Sequence, residues 1–307
     1  MNIKVVSVNI SNDKGDIKCP VELISLNEKG IVGDAHAGNW HRQISLLSKE
    51  SIENFGVKVG RTFKWGEFAE NITVEGINLS DVSILDKFFF GDVELEVTQI
   101  GKKCHGDGCA IFQEMGKCVM PKNGLFCRVV NGGLIKMNDK IIYKPAPLKI
   151  KIITLSDRAS SGEYTDRSGP KVKDLLNVHY TNSNLSADFT NIIIPDNADR
   201  LKDELSDVEE FDIIITTGGT GINSKDITPD VIKPMLDKEI PGIMEHIRIK
   251  YGEKIPSALL SRSIAGVINK TLIYTLPGSV KAVTEYMHEI QRTLDHAILT
   301  IKDINLH

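Results

Sequence analysis

The second half of the chain alternates between two hydrophobic periods. Short, β-branched apolar runs at residues 149–155, 191–194, 211–216 and 271–276 read as strands buried on both faces. Between them apolar positions recur at helical spacing over 169–176 and over 197–205, the latter capped by Asp196. Further helices open after Pro229 and Pro241. A long final helix follows: Val280, Val283, Met287, Ile290, Leu294, Ile298 and Ile301 recur at three- and four-residue steps and make one apolar face. Strands alternating with helices predict an α/β fold with a mostly parallel sheet covered on both faces. Ligands in such sheets sit beyond the carboxyl ends of the strands.

The first half follows a different pattern. Residues 4–9, 93–100 and 133–143 have strand character and glycine turns punctuate them, so this half reads as β-rich; residues 44–55 are its best helix candidate. The run Tyr143-Lys144-Pro145-Ala146-Pro147 favours an extended linker, because the prolines disfavour helix and sheet. Two domains are expected, 1–145 and 148–307, each long enough to bury its own core.

Composition narrows the function classes. Residues 1–147 hold 18 acidic and 18 basic side chains, and subtracting these from 41 and 37 leaves 23 and 19 in the remainder, which therefore carries the whole net charge of −4. Neither half has the basic footprint of a nucleic-acid binder. No apolar run approaches membrane-spanning length, and Met1-Asn2-Ile3-Lys4-Val5 enters a strand-like pattern at once, which argues against a signal peptide. A cytoplasmic location is the expectation. All five cysteines, Cys19, Cys104, Cys109, Cys118 and Cys127, lie in the first half, and the spacings of the last four (x4, x8, x8) do not match a zinc ribbon.

The chemistry concentrates in Thr216-Thr217-Gly218-Gly219-Thr220-Gly221, which follows the third strand and is closed by Asp226-Ile227-Thr228-Pro229-Asp230. Glycines at a strand end let backbone N–H groups approach an anion. Thr228 offers an N-cap hydroxyl and Pro229 a first helical position, so a helix N-terminus faces the same place. This is a phosphate-binding loop, but not a Walker loop, since Gly221 is followed by Ile222 where that loop has lysine. Asp196 reads as a helix cap or a metal ligand, and Asp226 as a turn residue or a functional acid. Two carboxylates beside phosphates suit Mg2+. Further polar strand ends are Ser156-Asp157-Arg158-Ala159-Ser160-Ser161-Gly162, Ser257-Ala258-Leu259-Leu260-Ser261-Arg262 and Leu276-Pro277-Gly278-Ser279.

These five segments, in their order along the chain from about residue 148 to the C-terminus, resemble the molybdopterin adenylyltransferase family of MogA type. The resemblance implies a three-layer α/β/α domain in a homotrimer. It also implies transfer of AMP from ATP to the terminal phosphate of molybdopterin, with Mg2+ and with release of pyrophosphate. The two functional aspartates of the family match Asp226 and Asp196, the glycines Gly218, Gly219 and Gly221 with Thr220 would cradle phosphates, and Ser261 and Arg262 would help seat the pterin. Ser156, Asp157, Asp230, Ser257, Pro277, Gly278 and Ser279 complete the implied site. Lys225 stands where many members carry arginine, so the charge is kept and the fork is lost. Two other readings share these features: a carrier that binds molybdopterin without catalysis, and a molybdate-insertion protein.

The first half resembles the MOSC domain, a barrel-like module named after molybdenum cofactor sulfurases, over roughly residues 1–145. The resemblance rests on Gly33-Asp34-Ala35-His36-Ala37-Gly38-Asn39-Trp40-His41-Arg42-Gln43-Ile44, Phe68-Ala69-Glu70-Asn71-Ile72, Val97-Thr98-Gln99-Ile100-Gly101-Lys102-Lys103-Cys104-His105 and Met120-Pro121-Lys122-Asn123-Gly124-Leu125-Phe126. It implies that Cys104 is the recurring thiol, carrying sulfur or binding molybdenum, and that His36, His41 and Arg42 bind an anionic pterin phosphate. Other proteins of molybdenum cofactor biosynthesis are the implied partners.

Overall fold

The computed structural model describes residues 2–14, 16–102 and 119–304. They fall into two compact units, Met1–Pro147 and Leu148–His307.

The first unit contains β1 (Ile3–Ile10), β2 (Cys19–Val21), β3 (Leu23–Asn27), β4 (Gly30–Ile31), β5 (Ile44–Ser48), β6 (Ile72–Glu75), β7 (Lys87–Phe90), β8 (Val93–Ile100), β9 (Leu125–Asn131), β10 (Gly133–Lys136) and β11 (Lys140–Lys144). The large sheet runs β11-β7-β8-β9-β5-β6-β1-β2, and β1 also pairs with β11, so seven strands close into a barrel. The barrel pairs are antiparallel except β5 with β6. Val5, Leu46, Ile72, Phe88, Leu95 and Leu125 fill its interior at 0% exposure.

The region expected to be one helix over 44–55 is a strand and then a helix. Ile44, Leu46 and Leu47 are all fully buried, and a strand buried on both sides shows no alternation that would separate it from a helix. Helix α1 (Lys49–Val59) begins only where Ser48 caps it, its Oγ accepting from the Ser51 N–H at 3.1 Å, and ends at Gly60 in the left-handed region. The expected strand over 133–143 is likewise two, β10 and β11, separated by a turn with Asn138 at φ +70°.

The second unit contains β12 (Leu148–Leu155), β13 (Ala187–Ile194), β14 (Ile213–Thr217), β15 (Lys238–Glu239), β16 (Ala265–Ile268) and β17 (Thr271–Leu276), in the order β13-β12-β14-β17-β16-β15. The first four are parallel, and β16 and β15 form an antiparallel edge. Its helices are α2 (Ser168–Thr181), α3 (Ala198–Glu204), α4 (Thr228–Ile232), α5 (Pro241–Gly252) and α6 (Val280–Ile301). Ile153, Ile214 and Ile273 pack against Leu201 of α3 and Ile232 of α4. Ile150 and Ile152, of opposite parity, are buried on the other face, where α2 and α6 lie against β12 and β17. Val283, Met287, Ile290, Leu294 and Ile298 of α6 are all fully buried, while Val280 and Ile301 at the ends of the expected face are partly exposed.

Two capping expectations are corrected. Asn197, not Asp196, caps α3, its Oδ1 accepting from the N–H groups of Asp199 and Arg200 at 3.0 Å. Thr228 is not the cap of α4 but its first helical residue, with its hydroxyl turned back to the glycine loop.

Candidate active site

Three parallel strand ends meet where the glycine loop leaves β14. The Gly218 N–H donates to Leu276 O at 2.9 Å, and the Thr217 hydroxyl donates to Pro277 O at 3.0 Å. Gly218 sits at φ +103°, and a Cβ there would stand 2.2 Å from Leu155 O, so only glycine fits between the ends of β12 and β17. The loop is tied to α4 by the Thr228 hydroxyl, which donates to Gly218 O at 2.8 Å, and by the Thr228 N–H, which donates to Gly219 O at 3.0 Å. Among the described residues the N–H groups of Gly219, Thr220 and Gly221 make no backbone hydrogen bond. They, rather than that of Gly218, are available to an anion.

Asp226 closes the loop from the far side. Its Oδ2 accepts from the Asn223 N–H at 2.8 Å, and its own N–H donates to Asn223 O at 2.9 Å. Gly219, Thr220, Gly221 and Asp226 line a cleft of about 580 Å3 together with Ser257, Ser261, Pro277, Gly278 and Ser279. Apolar and aromatic side chains, Ile222, Tyr251, Ile255, Leu260 and Tyr286, also line it, with the charged Lys281 and Glu285 of α6. The Tyr286 hydroxyl donates to Ser261 Oγ at 3.0 Å, and Ser279 caps α6, accepting from the Ala282 N–H at 3.2 Å.

Two expected ligand contacts take other places. Arg262 lies outside this cleft. Its backbone N–H donates to Thr220 O at 2.8 Å, Nε to Gly221 O at 2.7 Å, Nη2 to Asp226 O, and Nη1 to Asp230 Oδ1 at 2.7 Å. Asp230 is thus the partner of Arg262, outside the cleft.

Asp196, freed from capping α3, exchanges hydrogen bonds with Asp157. The Asp157 N–H donates to Asp196 Oδ2 and the Asp196 N–H to Asp157 Oδ1, each at 3.1 Å. Lys225 Nζ donates to Asp157 Oδ2 at 3.0 Å, which holds that carboxyl below its ordinary range. Burial, with the like charges of Asp157 and Asp226, pushes the Asp196 carboxyl up against the opposing Asp157 N–H bond and Lys225. Asp196 follows β13 and Asp226 lies beyond β14, the two strands that flank β12.

A second cavity of about 370 Å3 meets the first at Gly278 and Ser279 and is lined by Ser156, Tyr164, Asp166, Arg167 and Ser168. Ser156 also caps the helical turn Asp157–Ser160, accepting from the Ala159 N–H at 3.2 Å. Asp166 and Tyr164 were missed by the sequence reading. The Asp166 carboxylate accepts from the Thr154 hydroxyl at 2.7 Å, the Ser168 N–H and hydroxyl at 2.8 Å, and the Gly169 N–H, fixing the start of α2 to the end of β12. The run Asp166-Arg167-Ser168-Gly169-Pro170 carried that signal, an aspartate shortly before a helical proline.

In the first unit, His36, His41 and Arg42 are placed on the loop between β4 and β5. The Arg42 guanidinium lies 5.0 Å from the Trp40 ring centroid, and the Trp40 indole N–H donates to His36 O at 2.8 Å. His41 Nδ1 and Arg42 Nε are buried without partners, and burial, with Arg42 and Arg128 nearby, holds the His41 ring below its ordinary pKa. His36 Nδ1 lies 3.3 Å from Lys18 Nζ, which makes a fully buried ion pair with Asp34 at 2.5 Å. Cys104 lies outside the described residues, as do Cys109 and Cys118. Cys127 is buried in β9, its thiol pushed up by burial, and Cys19 is exposed. Among the described residues no three acidic, histidine or cysteine side chains form a metal cluster. No described helix is long and apolar enough to cross a membrane.

Residues 151–296 match the family model described as a probable molybdopterin binding domain, and residues 33–142 match that of the MOSC domain. The molybdopterin adenylyltransferase of Helicobacter pylori is 34% identical over 154 residues, 49% of this chain and 86% of that protein. Molybdenum cofactor biosynthesis protein B of Staphylococcus epidermidis is 34% identical over 171 residues, 53% of this chain and 94% of that protein. The Drosophila melanogaster molybdenum cofactor synthesis protein cinnamon is 36% identical over 155 residues, 50% of this chain and 25% of that protein. The solved structure of the tungsten cofactor synthesizing protein MoaB from Pyrococcus furiosus is 32% identical, covers 52% of this chain and 99% of that chain, and gives a TM-score of 0.46. The second unit is thus a domain of the molybdenum cofactor biosynthesis class. The chain belongs to that family and carries a MOSC domain in its first unit.

Proposed function

We propose that the second unit is a molybdopterin adenylyltransferase, transferring AMP from ATP to the terminal phosphate of molybdopterin. The observation that carries this reading is the set of N–H groups at Gly219, Thr220 and Gly221 without backbone partners, in residues that line one cleft together with Asp226 and several aromatic and aliphatic side chains. Such a cleft suits a flat heterocycle with a phosphate at one end. A phosphate oxygen of molybdopterin attacks the α-phosphorus of ATP, the new P–O bond forms as the α–β bridge breaks, and pyrophosphate leaves with the electron pair. Two anions must meet, so the protein's task is positioning and charge neutralisation. The loop N–H groups hold phosphate oxygens, the N-terminus of α6 at Ser279 adds a positive dipole end, and Ser257 and Ser261 orient the heterocycle.

Asp226 and Asp196 fit Mg2+, which takes one or two carboxylates together with substrate phosphates. The support is their placement beyond the two strands that flank β12. When bound, the ion would offset the charge of the phosphates. Asp226→Asn is expected to fold as the wild type and to lose roughly 100-fold in AMP transfer. The assay is incubation with ATP, Mg2+ and molybdopterin, with mass detection of the adenylylated product and of pyrophosphate. A carrier would release no pyrophosphate, and an unimpaired Asp226→Asn would remove that residue from the mechanism.

For the first unit we propose a role in handling the cofactor's sulfur or molybdenum through Cys104, with His36, His41 and Arg42 toward the pterin phosphate. The support is the soft chemistry of a thiolate and the stacked Arg42–Trp40 pair. Elemental mass spectrometry of the wild type and of Cys104→Ser after loading with molybdenum or labelled sulfur tests it; equal retention by both speaks against Cys104.

A further inference from the structure

We propose that Arg262 is a positioning residue, setting the aim of the Asp226 carboxylate by clamping the glycine loop, and that it seats neither substrate. The inference rests on the adenylyltransferase reading and assigns this residue a different part in it. Arg262 follows the wall that carries Ser257 and Ser261, so its place in the sequence suggests a ligand contact. Its donors go elsewhere. Nε and Nη2 hold the carbonyls of Gly221 and Asp226, which are the two ends of the 221–226 segment, and the Arg262 N–H holds Thr220 O. Nη1 is drawn to Asp230 Oδ1 at 2.7 Å, so a carboxylate from α4 fixes the plane of the guanidinium from behind.

The consequence falls on Asp226. Its carbonyl is held by Arg262 and its Oδ2 by the Asn223 N–H, so both the backbone and the side chain of the one residue are fixed. A Cβ at position 221 would stand 2.7 Å from Asp226 Oδ2, so only glycine there leaves the carboxylate in this place. Oδ1 makes no hydrogen bond among the described residues and is the atom left for the reaction. Three acceptors in different directions need the rigid fork of a guanidinium; an ammonium is a single point and cannot hold them together.

The test is Arg262→Lys, with Asp230→Asn as a milder second variant, in the full chain. AMP transfer is measured with ATP and molybdopterin varied separately, and amide hydrogen exchange is followed over residues 219–226 by mass spectrometry. Since a misplacement of about 1 Å can cost about 100-fold, Arg262→Lys should lower kcat by about tenfold or more while the KM for molybdopterin moves less than about threefold. Exchange at Asn223 and Asp226, the amides of this segment that are hydrogen-bonded to each other's residue, should quicken in both variants, less in Asp230→Asn, which keeps a neutral acceptor. A KM for molybdopterin raised about tenfold at unchanged kcat would show direct seating and overturn the proposal. So would wild-type exchange rates in both variants. If the wild type itself transferred no AMP, the adenylyltransferase reading would fall and the exchange measurement alone would decide the clamp.

Discussion

At the scale of single residues, Gly218 shows how local backbone geometry sets the site. Its φ of +103° and the 2.2 Å approach of a would-be Cβ to Leu155 O are separate penalties. Gly162 isolates the first of them, since it has φ +81° and open space around it. Gly162→Ala should therefore cost about 1 kcal/mol, the left-handed backbone penalty alone. Gly218→Ala should cost about 2 kcal/mol or more, because the strand ends must part as well. Thermal or denaturant unfolding of the two variants checks this, and equal losses would mean that the close approach is not the constraint. The glycine loop and Asp226 were legible in the sequence because they are contiguous and chemically distinctive. The direction of Arg262 was not, since its acceptors lie 32 to 41 residues earlier in the chain. Thr228 was misread for a related reason: a hydroxyl before a proline signals a cap, but here the carbonyl of Gly218 competes for it and wins.

At the scale of elements, α6 was read correctly from its apolar repeat, yet the repeat says nothing of Glu289, which is buried on the same helix. Its carboxylate receives Lys250 Nζ at 2.6 Å, His288 Nδ1 and Arg292 Nη1 at 2.8 Å, and His246 Nε2 at 3.2 Å. Lys250 and His246 come from α5, so this one carboxylate joins two helices. Hydrogen bonding by Lys250, helped by His288 and Arg292 against the cost of burial, holds the Glu289 carboxyl well below the usual carboxylate range. A folded pKa below the unfolded one means that the stabilisation is complete above the unfolded value, near 4.3, and is lost as the pH falls from there toward the folded value. Glu289→Gln is expected to lower stability at neutral pH by about 1–2 kcal/mol and to flatten the loss of stability below about pH 4. Melting temperatures of both proteins across pH 2–7 read this directly, and parallel pH profiles would contradict it. The barrel strands were harder to read for a comparable reason. Ile44–Ser48 is buried throughout, and burial on both sides removes the alternation from which a strand is recognised.

At the scale of the whole molecule, the two grammars of the sequence correspond to two separate cores. The α/β alternation was legible because each of the four parallel strands is followed in the chain by a helix. Barrel closure was not, because it depends on pairing Ile3 with Ile141 across almost the whole first unit, and no local pattern records a partner so distant. The buried residues that support the glycine loop, such as Ile153, Ile214, Ile232 and Ile273, all belong to the second unit, as do Asp196, Asp226 and the loop residues proposed to hold the phosphates. A core and an adenylylation site drawn from one unit are what a domain needs to fold and act alone. Residues 148–307 expressed alone should therefore fold cooperatively and transfer AMP with a kcat within about threefold of the full chain, a difference of under about 1 kcal/mol in barrier. In the full chain, calorimetry should resolve two transitions, one of which coincides with that of the isolated unit. Should residues 148–307 fold with a wild-type melting transition and yet transfer no AMP, the chemistry would need the first unit, and the assignment of the site to 156–279 would be incomplete.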